Sequence, residues 1–176
     1  MQQNSSFANF VDLLSPCPVR IRIKKGRDGP NVFVCTRDDG SVTMQHQRQP
    51  FFAGHDLTHY AVETVLGHEG FYTLLARGWS LDDFSPPYPR GPISLDAELS
   101  ERIVGLFDLE RASGVIMSAA DANASIRDHY ARLGVTTGLP ELTDDHLSAI
   151  RHRRGELLAR WSELAPGEAI ELTFPR

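Results

Sequence analysis

The chain has 176 residues, of which 41% are hydrophobic and 23% are charged, so it is long enough to form one folded domain with a substantial core. It carries 18 Lys and Arg against 23 Asp and Glu, and the net charge of −5 argues against nucleic acid as the main partner. No apolar run approaches the roughly 20 residues of a membrane span, and the polar start of the chain lacks a secretion signal. We therefore expect one soluble domain over residues 1–176, located in the cytoplasm and not in a membrane.

Three strand-like segments occupy the first part of the chain. Val19–Lys24 alternates strictly between apolar and basic residues, which is typical of a strand with one buried face. Asn31–Thr36 is rich in β-branched and aromatic residues, and Ser41–His46 alternates again. Short turn sequences that contain glycine separate the three segments. The pattern predicts a three-stranded antiparallel meander whose first strand turns its apolar residues to the core and its basic residues to water.

Helical patterns dominate the middle of the chain. Apolar residues recur at helical spacing, and Ser94 and Thr143 each precede acidic residues that suit the first turn of a helix. A short helix is predicted at Phe7–Leu14. Five further helices are predicted at about 52–66, 71–76, 94–112, 122–133 and 143–164. The proline-rich segment Trp79–Pro92 between them is predicted to be a rigid loop.

A final strand-like segment, Ala169–Phe174, alternates once more between apolar and polar residues. We expect it to pair with the first strand, because Glu171 would then lie opposite the basic outward face of that strand, and opposite charges on paired strands attract. The predicted fold is therefore α+β, with an antiparallel sheet of order 4-1-2-3 that is covered on one face by helices.

The main chemical signal is the segment that begins at Gly54 and contains His55, Asp56, His59 and Glu63. In a helix, residues four apart differ in direction by only about 40°, so both histidines and Glu63 would share one face. Imidazole and carboxylate groups that converge in this way suit a divalent metal, with zinc as the favoured ion. Asp56 is rotated by about 100° from His55, which suits a residue that orients a ligand or accepts a proton.

A catalytic metal site usually has a third protein ligand and an open position. His46 is the predicted additional ligand, because it follows Val42 and Met44 on what we expect to be the inward face of the third strand, and it is close in sequence to His55. Glu63 would then serve as a ligand or as the general base. The metal would lower the pKa of a bound water and supply a nucleophile near neutral pH.

Two resemblances accompany this segment. His55-Asp56-x-x-His59 is similar to the H-E-x-x-H helix of zinc metallopeptidases, in which the acidic residue is the general base; this implies that role for Asp56, although its side chain is one methylene shorter than Glu. Residues 54–78, with His-Asp-Leu-x-His-Tyr-Ala-Val-Glu and a following Gly-Phe-Tyr-x-Leu-Leu-Ala-x-Gly, also resemble a group of uncharacterised bacterial proteins, which implies no specific activity.

The sequence supports three hypotheses for function. The first is a small metal-binding protein, which as an enzyme would be a metal-dependent hydrolase; the sequence does not indicate whether its partner is a small molecule or a protein. The second is a non-enzymatic binding module, in which the His/Asp/Glu cluster is a buried hydrogen-bond network and a surface such as the Trp79–Pro92 loop binds a partner protein. The third is a metal-free pocket in which His55 or His59 acts as an acid or base.

Overall fold

The computed structural model describes residues 18–84, 87 and 90–175 of the chain. The predicted helix at Phe7–Leu14 lies outside the described residues. In chain order the elements are β1 (Val19–Lys24), β2 (Asn31–Thr36), β3 (Val42–Gln47), α1 (Phe51–Leu66), α2 (Phe71–Ala76), a 3-10 turn (Leu81–Phe84), α3 (Leu95–Ser113), α4 (Ala119–Arg132), α5 (Asp144–Glu163) and β4 (Ala169–Phe174). Part of the segment predicted as a rigid loop thus forms a short helical turn.

The four strands form one antiparallel sheet with the order β3-β2-β1-β4. This confirms the predicted α+β fold and the predicted strand order. In the register of β1 and β4, Arg22 lies opposite Glu171, and Arg22 Nε donates to Glu171 Oε1 at 3.2 Å. Both side chains are well exposed to solvent, so this ion pair supports the register and contributes only about 0–1 kcal/mol to stability.

One face of the sheet is covered by helices and the other is open. On β1 the apolar residues are buried and the basic residues are exposed, as predicted. On β3 the prediction is wrong: Val42 and Met44 are each 56% exposed, and His46 is exposed beside them. Polar side chains of β3 can face inward because they have hydrogen-bond partners there. Thr43 Oγ1 accepts a hydrogen bond from Leu81 N at 3.0 Å, and Gln47 donates to Asp56.

Helix α1 is the central helix, and it packs against both α3 and α5. Its apolar residues Leu57, Ala61 and Val62 are fully buried in the core. The helix ends at Gly67, whose φ of 67° is a left-handed conformation that favours glycine. In the part of the chain described here, no helix combines the length and the apolar character needed to cross a membrane.

Two of the predicted helix starts are confirmed by their capping contacts. Ser94 Oγ accepts a hydrogen bond from Ala97 N at the start of α3. Thr143 Oγ1 accepts one from His146 N at the start of α5, and the His146 side chain accepts in turn from Thr143 N. Each such contact satisfies an N–H group that has no partner within the helix. The capping contact of Ser94 therefore fixes where α3 begins. Helix α3 also carries two acidic residues, Glu101 and Asp108, that face the histidines of α1.

Candidate metal centre

Helix α1 carries His55 and His59 on the side that faces α3. The two residues lie four positions apart, so their side chains project in the same direction from successive turns. Their Nε2 atoms are 3.2 Å apart. His59 is almost fully buried, with 2% of its side chain exposed, whereas His55 retains 23%. One imidazole therefore belongs to the core, and the other lies at its edge.

Glu101 on α3 completes a group of three potential ligands. Its Oε1 lies 3.4 Å from His59 Nε2, and one ligand atom from each of the three residues lies within 4.8 Å of the other two. Two donors at about 2.1 Å from one ion are separated by about 3.0 Å at an angle of about 90° and by about 3.4 Å at a tetrahedral angle. The two separations from His59 Nε2, 3.2 Å to His55 Nε2 and 3.4 Å to Glu101 Oε1, therefore match those of ligands on a single metal ion.

Each histidine also has a carboxylate on the far side of its ring. His55 Nδ1 lies 2.8 Å from Asp108 Oδ2. His59 Nδ1 lies 3.5 Å from Glu63 Oε1, which is an ion-pair distance although the geometry does not make a well-directed hydrogen bond. Metal-binding histidines commonly donate their second ring N–H to a carboxylate, which fixes the tautomer and the ring orientation. Both Nε2 atoms are thereby directed to the point where the ion would lie.

Glu63 is held in place by the start of α2. Its carboxylate accepts hydrogen bonds from Tyr72 N at 3.1 Å and from Thr73 N at 3.3 Å, so it satisfies two N–H groups in the first turn of that short helix. Gly70 lies against the same carboxylate, and a Cβ atom at that position would be 2.5 Å from Glu63 Cδ. Glycine is needed here because any side chain would displace Glu63.

The two histidines have opposite pKa shifts. Burial alone would lower the pKa of His59, but Glu101 and Glu63 outweigh it and raise this pKa to about 10. Burial and the charge of His59 lower the pKa of His55, despite the opposing effect of Asp108. Burial raises the pKa of Glu63, whereas His59 lowers that of Glu101. Glu101 is therefore the carboxylate that chiefly balances a protonated His59 in the metal-free protein.

Asp56 is a buried carboxyl group beside the histidines. Burial raises its pKa to about 7, although a hydrogen bond from Gln47 and the charge of His59 act in the opposite direction. Together with both histidines and Glu101, it lines a cavity of about 210 Å³, to which Phe71 and Phe84 also contribute. A carboxyl group with a pKa near neutral pH is suited to accept and release a proton there.

The structure brings together only some of the residues predicted from the sequence. His55 and His59 converge, and Asp56 lines the same cavity. Glu63 lies behind His59 and contacts its Nδ1 atom, so it supports a ligand and does not belong to the three-residue group. His46 is exposed on the open face of the sheet and does not reach the group, because it shares the outward face of β3 with Val42 and Met44.

Sequence reasoning missed Glu101 and Asp108. Both lie on α3, seven residues apart and therefore on one face of that helix. Acidic residues at helical spacing beside a buried apolar stripe are a detectable signal, since a carboxylate on the packed side of a helix needs a partner. The partners are the two histidines of α1, which the sequence does not show to be adjacent.

Comparison with known proteins gives no family assignment. No protein-family model, no curated protein and no solved structure matches the chain.

Proposed function

We propose that the protein is a metal-dependent hydrolase whose ion is held by His55, His59 and Glu101. The observation that carries the proposal is the convergence of both Nε2 atoms and one Glu101 oxygen, with a carboxylate behind each ring. Two histidines and a glutamate form one of the ligand sets of catalytic zinc, which leaves a fourth position open for water. Zinc is the ion we propose.

Asp56 would take part in the reaction as a proton acceptor. A metal ion lowers the pKa of a bound water toward neutral pH and so supplies a nucleophile. Asp56 lines the same cavity, and its pKa of about 7 in the metal-free protein would suit it to accept a proton from that water and return it to a leaving group. This role agrees with the similarity of His55-Asp56-x-x-His59 to the metallopeptidase helix, in which the acidic residue is the general base.

A structural role for the same cluster is the second candidate function. The observation that favours it is the raised pKa of His59, since a protonated His59 between Glu63 and Glu101 links α1 to α3 without any metal. In this alternative the protein would be a binding module with a buried charged network. The two candidates differ in whether His55 is needed, because the structural network is centred on His59.

Metal content separates the two candidates. Protein purified without a tag or chelator is analysed for zinc, iron, manganese and nickel, alongside His55→Ala and the matched control His46→Ala, which removes an exposed histidine outside the group. We expect near-stoichiometric zinc in the wild type and in His46→Ala, and loss of zinc in His55→Ala. Equal zinc in all three proteins, or none after reconstitution, would overturn the proposed metal centre.

Activity is then assayed on the zinc-loaded protein with a panel of ester, amide and phosphoester substrates. We expect hydrolysis that is lost in His55→Ala and strongly reduced in Asp56→Asn, because the variant amide cannot accept the proton from the metal-bound water. A stoichiometric zinc centre without hydrolysis of any member of the panel would support a metal-binding protein and count against the hydrolase.

A further inference from the structure

A second and larger cavity adjoins the candidate metal centre. Its volume is about 660 Å³, and the residues that line it include Asp83, Phe84, Pro92, Ile93, Glu98 and Glu101. Phe84 and Glu101 also line the cavity that contains the two histidines, so the two cavities share a wall. A volume of this size is within the range of small-molecule binding sites, which are mostly apolar with a few polar groups.

The apolar wall of this cavity is fixed by an aromatic cluster. The ring of Phe84 lies 4.9 Å from that of Phe71 and 5.4 Å from that of Trp79, measured between centroids. Phe71 in turn lies 5.4 Å from His59. Aromatic pairs at these separations stabilise each other beyond their simple burial. The surface beside Glu101 is therefore apolar, aromatic and supported from behind by the same residues that pack on the site.

The charged groups of this cavity are acidic. Asp83 is balanced by Arg90, whose Nε lies 3.1 Å from Asp83 Oδ2. Glu98 is exposed, and among the residues that the structure describes it forms no ion pair. Arg102, one turn further along α3, contacts His129 instead of Glu98. Among the described residues Glu98 thus has no ion-pair partner, and its negative charge attracts cations to the cavity and repels anions.

We propose that this cavity binds the aromatic part of a substrate that is neutral or positively charged, specifically an arylalkyl amine or a derivative of one. The aryl group would contact Phe84 and Ile93, and the ammonium group would face Glu98. The inference rests on the proposed function for the reaction at Glu101, but binding of the aryl group in the cavity itself does not require the metal.

Binding is measured on metal-free protein, with the methyl group of Ile93 observed by NMR. The probes are benzylamine, benzyl alcohol and benzoate, which share a ring and differ in charge. We expect benzylamine to shift the Ile93 signal and to bind about tenfold more tightly than benzoate. Glu98→Gln should reduce the affinity for benzylamine to that for benzyl alcohol and leave the alcohol unchanged.

A pair of matched variants tests the location. Ile93→Trp fills the cavity and should abolish benzylamine binding, whereas Leu95→Trp places the same ring at an exposed position nearby and should not; circular dichroism checks that both variants fold. Equal binding in the two variants, detected by calorimetry, would overturn the proposal. So would benzoate affinity equal to that of benzylamine in the wild type or no effect of Glu98→Gln, which changes an exposed residue and preserves the fold.

A zinc arm separates this inference from the proposed function. Zinc-loaded protein is titrated with acetohydroxamate, which has no ring, and with benzohydroxamate, which adds one. We expect acetohydroxamate to bind only in the presence of zinc, and benzohydroxamate to bind the zinc-loaded protein about tenfold more tightly than acetohydroxamate does. Benzylamine binding without any zinc binding would support the cavity and overturn the metal centre. Equal affinity of the zinc-loaded protein for the two hydroxamates would support the metal centre and overturn the cavity.

Discussion

The two histidines of α1 lie one helical turn apart, but they belong to different regions of the molecule. His59 is in the core, where Glu63 has no exposed side-chain surface. His55 is at the edge, where both it and Asp108 remain partly exposed. The burial of His59 is tolerated because two carboxylates face it, and they raise its pKa to about 10, while the pKa of His55 is lowered. A shared helix face therefore does not imply a shared role in stability.

The difference suggests how a metal would bind. At neutral pH the metal-free protein holds a proton on His59 and none on His55, so an ion that binds both Nε2 atoms must displace the proton of His59. We infer that His59 provides the preformed charged core of the site. His55 provides the part that a ligand can reach.

Replacement of Glu63 by alanine should have the largest effect. It removes one partner of a buried charged group and two hydrogen bonds at the start of α2, so we expect a loss of about 3–5 kcal/mol in the free energy of unfolding. Urea unfolding of the metal-free protein measures this. Glu98→Ala is the control, because Glu98 is exposed in the first turn of α3 and its loss should cost less than about 1 kcal/mol. Equal costs for the two variants would contradict the assignment of Glu63 to the core.

Replacement of each histidine in turn separates stability from metal binding. We expect His59→Ala to lower the free energy of unfolding by about 3 kcal/mol, since it leaves Glu63 buried without its partner. His55→Ala should cost about 1 kcal/mol because its surroundings are open to water. Both variants should lose zinc binding in calorimetric titrations. A variant that retained zinc would show that its histidine is not a ligand.

Asp108→Asn tests the carboxylate behind His55. Loss of a carboxylate that orients a ligating histidine typically weakens metal binding by about 10- to 100-fold, and we expect a loss of this size in competition titrations with a zinc chelator. The free energy of unfolding should change by less than about 1.5 kcal/mol, because Asp108 is partly exposed. Unchanged zinc affinity would show that His55 does not need this partner.

The smallest effect is the change in stability at acid pH that depends on His55, and in pH dependence the two histidines act in opposite directions. The pKa of His59 is raised, so its stabilising contribution is full below the unfolded value of about 6.5 and is lost as the pH rises toward about 10. The pKa of His55 is lowered, so its contribution is lost as the pH falls below about 6.5. His55→Gln should therefore reduce the loss of melting temperature below pH 6.5 and leave the loss above it unchanged. A change on the alkaline side would contradict this assignment.

Much of the fold could be predicted because its strands and helices carry clear local patterns. The alternation of β1 and the charge of Glu171 were sufficient to place β4 beside β1, and the register confirms it. The prediction of which face of the third strand is buried was wrong for a physical reason. Its apolar residues Val42 and Met44 face water, while its polar residues face inward, where Gln47 meets Asp56.

The site was predictable only within α1. The spacing of His55 and His59 follows from helix geometry, and the sequence shows it directly. Glu101 and Asp108 come from another helix, and their approach depends on how α1 and α3 pack together. A helical pattern shows which face of each helix is buried but not which residues meet across the interface. For this reason the sequence indicated Glu63, which is near the histidines in the chain, and gave no indication of Glu101.

The pairing of β1 with β4 has a consequence for folding during synthesis. β1 lies in the interior of the sheet, but one of its two neighbours is β4, which follows helices α1 to α5 in the chain. Until Ala169–Phe174 leaves the ribosome, β1 therefore presents an unpaired edge, which is a site for unwanted association with other chains. A contact between such distant segments also slows folding, because a long loop must close before the pairing stabilises it. Nascent chains should therefore be most prone to association in the interval before Ala169–Phe174 emerges and pairs with β1.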